Sequence, residues 1–185
     1  MRIISGKYKG QQLNHFSADH IRPTTDRVKE TLFNIIQNDL PGARVLDLFA
    51  GTGNLGLEAL SRGAAEVLFV ESHPKSLEII RKNIEKLKVT ETHSIWNKDV
   101  LRFLENPPEK TFDIIFADPP FTKQMADEVM TFASQSSVFA EHTIMAIESA
   151  KREKLADTYG DLVRSDQRVF GDKILSFFTK TRVIE

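Results

Sequence analysis

At 185 residues, 41% hydrophobic and 28% charged with a net charge of −1, the chain is one domain's worth of protein, burying roughly 70% of its unfolded surface on folding. It has no cysteine, which excludes disulfides, thiolate zinc sites and thiol nucleophiles. No apolar run nears the roughly 20 residues that span a bilayer, and the five histidines lack HxxH or HExxH spacing, so neither a membrane segment nor a metal site is expected. The N-terminal MRIISGKYKG has no apolar stretch followed by a cleavage site, which makes the cytoplasm the expected location. Charge is uneven. Residues 1–29 hold six basic and two acidic side chains, the remainder 19 and 24; that split fits a basic end touching phosphate, and equally an ordinary solvated surface.

In chain order, Arg2–Ile4 and Gln11–Leu13 read as short strands around Gly6 and Gly10, a small N-terminal β-hairpin with Lys7 and Lys9 near its turn. Pro23 keeps IRPTT extended, and Thr25 or Asp26 can cap a helix whose Val28, Leu32, Ile35 and Ile36 share one face. That helix ends before Pro41 and Gly42. From Arg44 onward, strand-like and helix-like stretches alternate through short connections, the pattern of a parallel, doubly wound sheet. The strands are expected at Arg44–Phe49, Glu66–Val70, His93–Trp96, Phe112–Ala117 and Thr143–Glu148. Helices are expected from Pro74 (Leu77, Ile80, Ile84 and Leu87 on one face), over Val100–Leu104, and over Met125–Ala133. Leu162–Phe170 and Ile174–Phe178 flank Gly171 and Asp172, a two-residue turn suited to an antiparallel hairpin. The expectation is one α/β domain, with residues 1–40 as an extension and 41–185 as a Rossmann-like core of seven strands.

The chemistry gathers where strands end. In RVLDLFAGTGNLG, a buried strand runs into a glycine turn and then a helix. Gly51 and Gly53 can take positive φ and bring backbone N–H groups close to a ligand. A bare GxGxxG, here Gly51, Gly53 and Gly56, is weak evidence, because tight turns and dinucleotide sites share it. Asp47 adds to it. A carboxylate at the carboxyl end of a strand suits a cationic ligand better than a pyrophosphate, and the stretch resembles the first motif of class I S-adenosylmethionine methyltransferases. Glu71 ends the next strand about 20 residues beyond the glycine turn, where an acid accepts hydrogen bonds from ribose hydroxyls or else caps the Pro74 helix. Asp99 is either a helix cap for Val100 or, by that resemblance, a partner of the adenine amino group; both roles can coexist.

Asp118–Phe121, DPPF, directly follows the FDIIFA strand. An exocyclic amine on a base is a poor nucleophile because its lone pair is delocalised into the ring. A site for it must hold both N–H groups while the nitrogen turns toward the methyl donor, and Asp118 with the carbonyl of Pro119 offers two acceptors. Pro119 and Pro120 stiffen the turn, and Phe121 offers a face for base stacking, worth roughly 1 to 3 kcal/mol. Alone, the tetrapeptide is also an ordinary proline turn; its place after the fourth strand favours the functional reading.

Taken together, RIISGKYKG, RPTTDRVKETLFN, LDLFAGTGNLGLEALSRGA, Glu71, FADPPF and GDKIL resemble the RsmD family of bacterial 16S rRNA guanine-N2 methyltransferases over nearly the full length. The resemblance implies the class I methyltransferase fold and S-adenosylmethionine as methyl donor. It further implies 16S rRNA in the assembled or assembling 30S subunit as partner. By position, Asp118, Pro119, Pro120 and Phe121 would take the guanine amine. Asp47, Phe49, Gly51, Gly53, Glu71, Asp99 and Val100 would hold the cofactor, and Arg2, Lys7, Lys9, Arg22, Thr24 and Arg27 would face RNA. A monomer is expected. Three other readings stand beside it. An adenine-N6 DNA methyltransferase shares the DPPF logic but normally carries a target-recognition domain, and a nicotinamide oxidoreductase leaves DPPF unexplained. A non-catalytic ribosome-assembly module would explain the basic first 29 residues.

Overall fold

Along the central strands, successive side chains enter two different cores, and this alternation builds the molecule. Val45, Val67, Phe69, Ile114 and Phe116 join one buried cluster with residues of α1 (Asp26–Ile35), α2 (Asn54–Ser61) and α3 (Pro74–Leu87). Leu46, Leu48, Leu68, Val70, Ile115 and Ala117 join another with α4 (Val100–Glu105) and α5 (Ala126–Gln135). The computed structural model describes residues 1–15, 26–121 and 123–181. The strands are β1 (Arg44–Leu48), β2 (Glu66–Glu71), β3 (Thr92–Asn97), β4 (Phe112–Ala117), β5 (Phe139–Ala150), β6 (Thr158–Tyr159), β7 (Leu162–Phe170) and β8 (Lys173–Lys180). They form one sheet in the order β3-β2-β1-β4-β5-β8-β7-β6. Strands β1 to β5 pair in parallel, and β8, β7 and β6 add antiparallel pairings. No helix among the described residues is long and apolar enough to cross a membrane.

The expected Rossmann-like core is present, with four differences. An eighth strand exists because Thr158 and Tyr159 pair with Val163 and Leu162, a stretch too short to show a period of two. β5 starts at Phe139, ahead of the expected Thr143. The Thr143 hydroxyl donates to the Phe112 carbonyl and accepts from the Ala140 N–H, carrying the strand across its irregular register. The N-terminal hairpin forms, with Ile3 N–H donating to Gln11, Gly10 N–H to Ile3 and Leu13 N–H to Met1, but its arms are too short for regular strands and make one antiparallel bridge, Arg2 with Gln12. Its turn is also docked on α2: Ile4 and Ser5 donate to Glu58, and a side chain on Gly6 would strike the Ser61 carbonyl at 1.8 Å. In α1, Phe33 is buried in the place expected of Ile35, which is 36% exposed. The Phe33 ring packs edge-on against Phe116 of β4 at 5.5 Å.

Because the chain leaves β1 toward β2 and β3 and then returns to the other side for β4 and β5, the strand order reverses between β1 and β4. The crevice at the carboxyl ends of those two strands is the general ligand position in open α/β sheets.

Candidate active site

Leu48 ends β1 between Val70 of β2 and Ala117 of β4, so the glycine turn, Glu71 and Asp118 leave the sheet side by side. Positive φ at Phe49 (59°), Gly51 (57°) and Gly53 (78°) folds the turn back into α2. Positive φ at a bulky residue such as Phe49 is stored strain of about 1 to 3 kcal/mol. Gly56 serves close packing: a Cβ there would lie 2.3 Å from the Phe69 ring. Asp47 shares a sheet face with Val45, and its Oδ2 accepts the Gly56 N–H at 2.9 Å. It is 2% exposed. Burial, then the like charges of Asp118 and Glu71, push its carboxyl up to about 7 against the pull of the Gly56 N–H.

Glu71 ties two turns together. One oxygen accepts the Gly51 N–H at 2.8 Å, the other the N–H groups of Ser72 and His73 at 2.8 and 2.7 Å. Three of its roughly four acceptor positions are thus engaged, so holding two ribose hydroxyls requires one turn bond to be exchanged. Asp99 is the N-cap of α4, its Oδ1 accepting from Leu101 and Arg102 at 3.1 Å, and Val100 beside it is buried. After β4, Asp118 is half-buried, Pro119 buried, Pro120 exposed and Phe121 half-buried. The Arg152 guanidinium sits 5.5 Å from the centre of the Phe121 ring.

The basic residues separate. Arg27 is exposed on the first turn of α1, two residues from the buried Lys29 that reaches Asn54 at the start of α2. The Arg2 guanidinium pairs with Asp26 at 3.1 Å. Lys7 pairs with Glu91 at 2.7 Å, and its backbone N–H bonds Ser61 at the far end of α2. This holds Lys7, with Lys9 two residues on, about 12 Å along that helix from the glycine turn. Arg22 and Thr24 lie outside the described residues.

A layer behind the glycine turn escapes the sequence reading. Lys29, 1% exposed, bonds Glu58 (2.9 Å), Asn54 (2.9 Å) and the Arg2 carbonyl (2.6 Å). Glu58, fully buried, also pairs with Arg62 at 2.8 Å. The Asn83 amide donates to the carbonyls of Thr52 and Asn14 and accepts the Asn14 N–H. The only available signal was an Asn on the apolar side of α3 and a Lys one residue after Val28.

Against known proteins, the family model described as "Conserved hypothetical protein 95" matches residues 1–179. The "Putative rRNA methyltransferase YlbH" of Bacillus subtilis is 36% identical over 173 residues, which are 92% of this chain and 94% of that protein. Ribosomal RNA small subunit methyltransferase D of Haemophilus influenzae is 36% identical over 157 residues, 84% of this chain and 81% of its own. The solved structure "Putative methyltransferase yhhF from Escherichia coli" superposes with a TM-score of 0.87 at 30% identity, covering 97% of both chains. With a family model over nearly its whole length and relatives at this identity on the same span, the chain belongs to the RsmD family of ribosomal RNA small subunit methyltransferases.

Proposed function

We propose that this protein methylates the exocyclic N2 amine of one guanine in a 16S rRNA loop, using S-adenosylmethionine, within the assembled or assembling 30S subunit. In this reading it works as a cytoplasmic monomer. The observation that carries the proposal is the emergence of Asp118–Phe121 at the switch point beside Asp47 and Glu71. The donor set fits the cofactor: three carboxylates crowd one glycine turn, and the buried one is pushed up to about 7, a charge balance that a bound cation relieves. Bound S-adenosylmethionine supplies an electrophilic methyl group carried on a sulfonium.

The chain's own residues do the rest. Asp47 and Glu71 hold the cofactor against the turn made by Phe49, Gly51 and Gly53, with Asp99 and Val100 at the adenine end. The Asp118 carboxylate and Pro119 carbonyl accept the two amine N–H groups and orient the nitrogen, a contribution that comes from positioning. Pro120 keeps that turn rigid, and Phe121 stacks on the base once it is displaced from its loop. Arg27 and Arg2 reach RNA phosphates, a role that the family resemblance also gives Arg22 and Thr24; Lys7 and Lys9 touch only peripheral RNA.

The test is tritiated methyl transfer to 30S subunits lacking the modification, compared with naked 16S rRNA and duplex DNA, followed by nucleoside analysis. N2-methylguanosine from subunits is the expected product, and N6-methyladenine in DNA overturns the reading. Asp118→Ala abolishes transfer while S-adenosylmethionine affinity stays within a few fold; equal loss of both removes the assigned role.

A further inference from the structure

Beside the DPPF turn lies a second feature that the mechanism does not use. A cleft of about 560 Å³ is lined by Phe121, Ala150, Lys151, Arg152, Gly171 and Asp172, within the size range of small-ligand sites. It opens where β5 ends and the β7–β8 turn begins, one strand over from the switch point. Phe121 is therefore a wall shared between this cleft and the site for the target base.

The lining has the chemistry of single-stranded nucleic acid recognition, an aromatic ring with a planar cation over it and a second cation beside it. Arg152 covers Phe121 at 5.5 Å. Lys151 and Arg152 are both exposed, and among the described residues neither forms an ion pair. The local sequence KREK looks mixed in charge, but the acid is turned to structural work. The Glu153 carboxylate accepts the N–H of Ala126 at the start of α5 (3.1 Å) and that of Ala150 at the end of β5 (2.9 Å). Those bonds staple the Lys151–Lys154 turn to the helix that follows the DPPF loop. Lys173 adds no charge to the cleft, because it is buried against Glu148 at 2.7 Å. Asp172 is the one acid in the lining, and its backbone carbonyl accepts the Lys151 N–H at 2.8 Å. Two cations thus face one carboxylate.

We infer that this cleft binds the single-stranded RNA flanking the target guanine, Lys151 and Arg152 taking a phosphodiester while the Arg152–Phe121 pair stacks an adjoining base. The inference deepens the proposed function and rests on it for the identity of the strand. It assigns substrate contact to Lys151 and Arg152, residues outside the basic N-terminal segment that composition alone singles out.

The experiment measures the Lys151→Ala/Arg152→Ala double variant against the unsubstituted protein. Its probe is 30S subunits lacking the modification, with equilibrium binding and steady-state turnover read separately. The expected result is a rise of roughly tenfold or more in both Kd and KM for subunits, with kcat and S-adenosylmethionine affinity within about twofold. The slope of log Kd against log salt becomes shallower by about 0.7 for each phosphate that is no longer neutralised. Unchanged subunit affinity and salt slope, or a parallel loss of cofactor binding, overturns the inference. The outcomes separate it from the broader reading. An unsubstituted protein that binds subunits but methylates no guanine defeats the proposed function, while the binding comparison still decides for or against the cleft.

Discussion

Asp47 concentrates the electrostatics of the site in one side chain. Its oxygen must accept the Gly56 N–H to start α2, yet burial and the nearby carboxylates raise it to about 7. Between pH 4 and pH 7 the folded, ligand-free protein therefore holds a proton that the unfolded chain has already lost. Stability contributed at low pH is lost as pH rises through 7. A bound cation favours the ionised form, so the dissociation constant for S-adenosylmethionine falls by up to roughly tenfold per unit as pH rises toward 7 and levels off above it. Asp47→Asn keeps an oxygen for Gly56 but removes the charge. The expected outcome is an intact fold, cofactor affinity weaker by about tenfold or more at pH 8, and a flat pH dependence. Calorimetric titration at pH 6 and pH 8 measures this; an unaltered pH slope in the variant removes Asp47 as the titrating group.

At the scale of an element, the glycine turn is shaped from behind as much as by its own glycines. Asn83 of α3 holds Thr52, which sits between Gly51 and Gly53, and ties it to Asn14. Asn83→Ala orphans the Thr52 carbonyl and both backbone groups of Asn14, at about 1 to 3 kcal/mol for each group left buried and unpaired. With partial access of water, a net loss of about 3 kcal/mol lowers Tm by roughly 6 to 12 °C in a domain of this size. Cofactor affinity drops alongside. Lys82→Ala on the same helix removes an exposed pair with Glu78 and shifts Tm by about 1 °C or less. Thermal denaturation of the two variants makes the comparison, and similar Tm values contradict the clamp. Lys29 and Glu58 belong to the same layer. Removing Lys29 leaves Glu58 with Arg62, Ile4 and Ser5 as partners, so the charge is weakened in its support but not stranded.

For the whole molecule, each central strand sends alternate residues into both cores, so neither face can lose its packing while the other keeps its own. A single cooperative unfolding transition follows. S-adenosylmethionine at about 100 times its dissociation constant adds about 2.7 kcal/mol, raising Tm by roughly 5 to 10 °C. Two resolved calorimetric transitions, or only one of them moving with ligand, contradict a shared core.

Much of this was readable in one dimension. Phe112–Ala117 has the boundaries that its apolar run indicates, and Val100 starts the helix that Asp99 caps. The spacing of Asp47, Gly51, Gly53, Glu71 and Asp118 located the crevice, because strand ends, glycine turns and caps are set by residues a few positions apart. Other features depend on residues 20 to 69 positions apart in the chain. Glu71 spends its acceptors on Gly51 and its own turn, and Asn83 reaches back to Asn14 and Thr52. Strand β6 is too short to carry a period and exists only as an edge for β7. A buried Lys29 and an exposed lysine look alike in sequence, as do a cleft-lining Arg152 and a solvated one. Local periodicity thus determined most of the elements, and short motifs at strand ends named the candidate site. Tertiary packing alone decided which charges are buried, which acceptors are already engaged and which basic residues adjoin the chemistry, since burial and like-charge crowding arise only when distant segments share one volume.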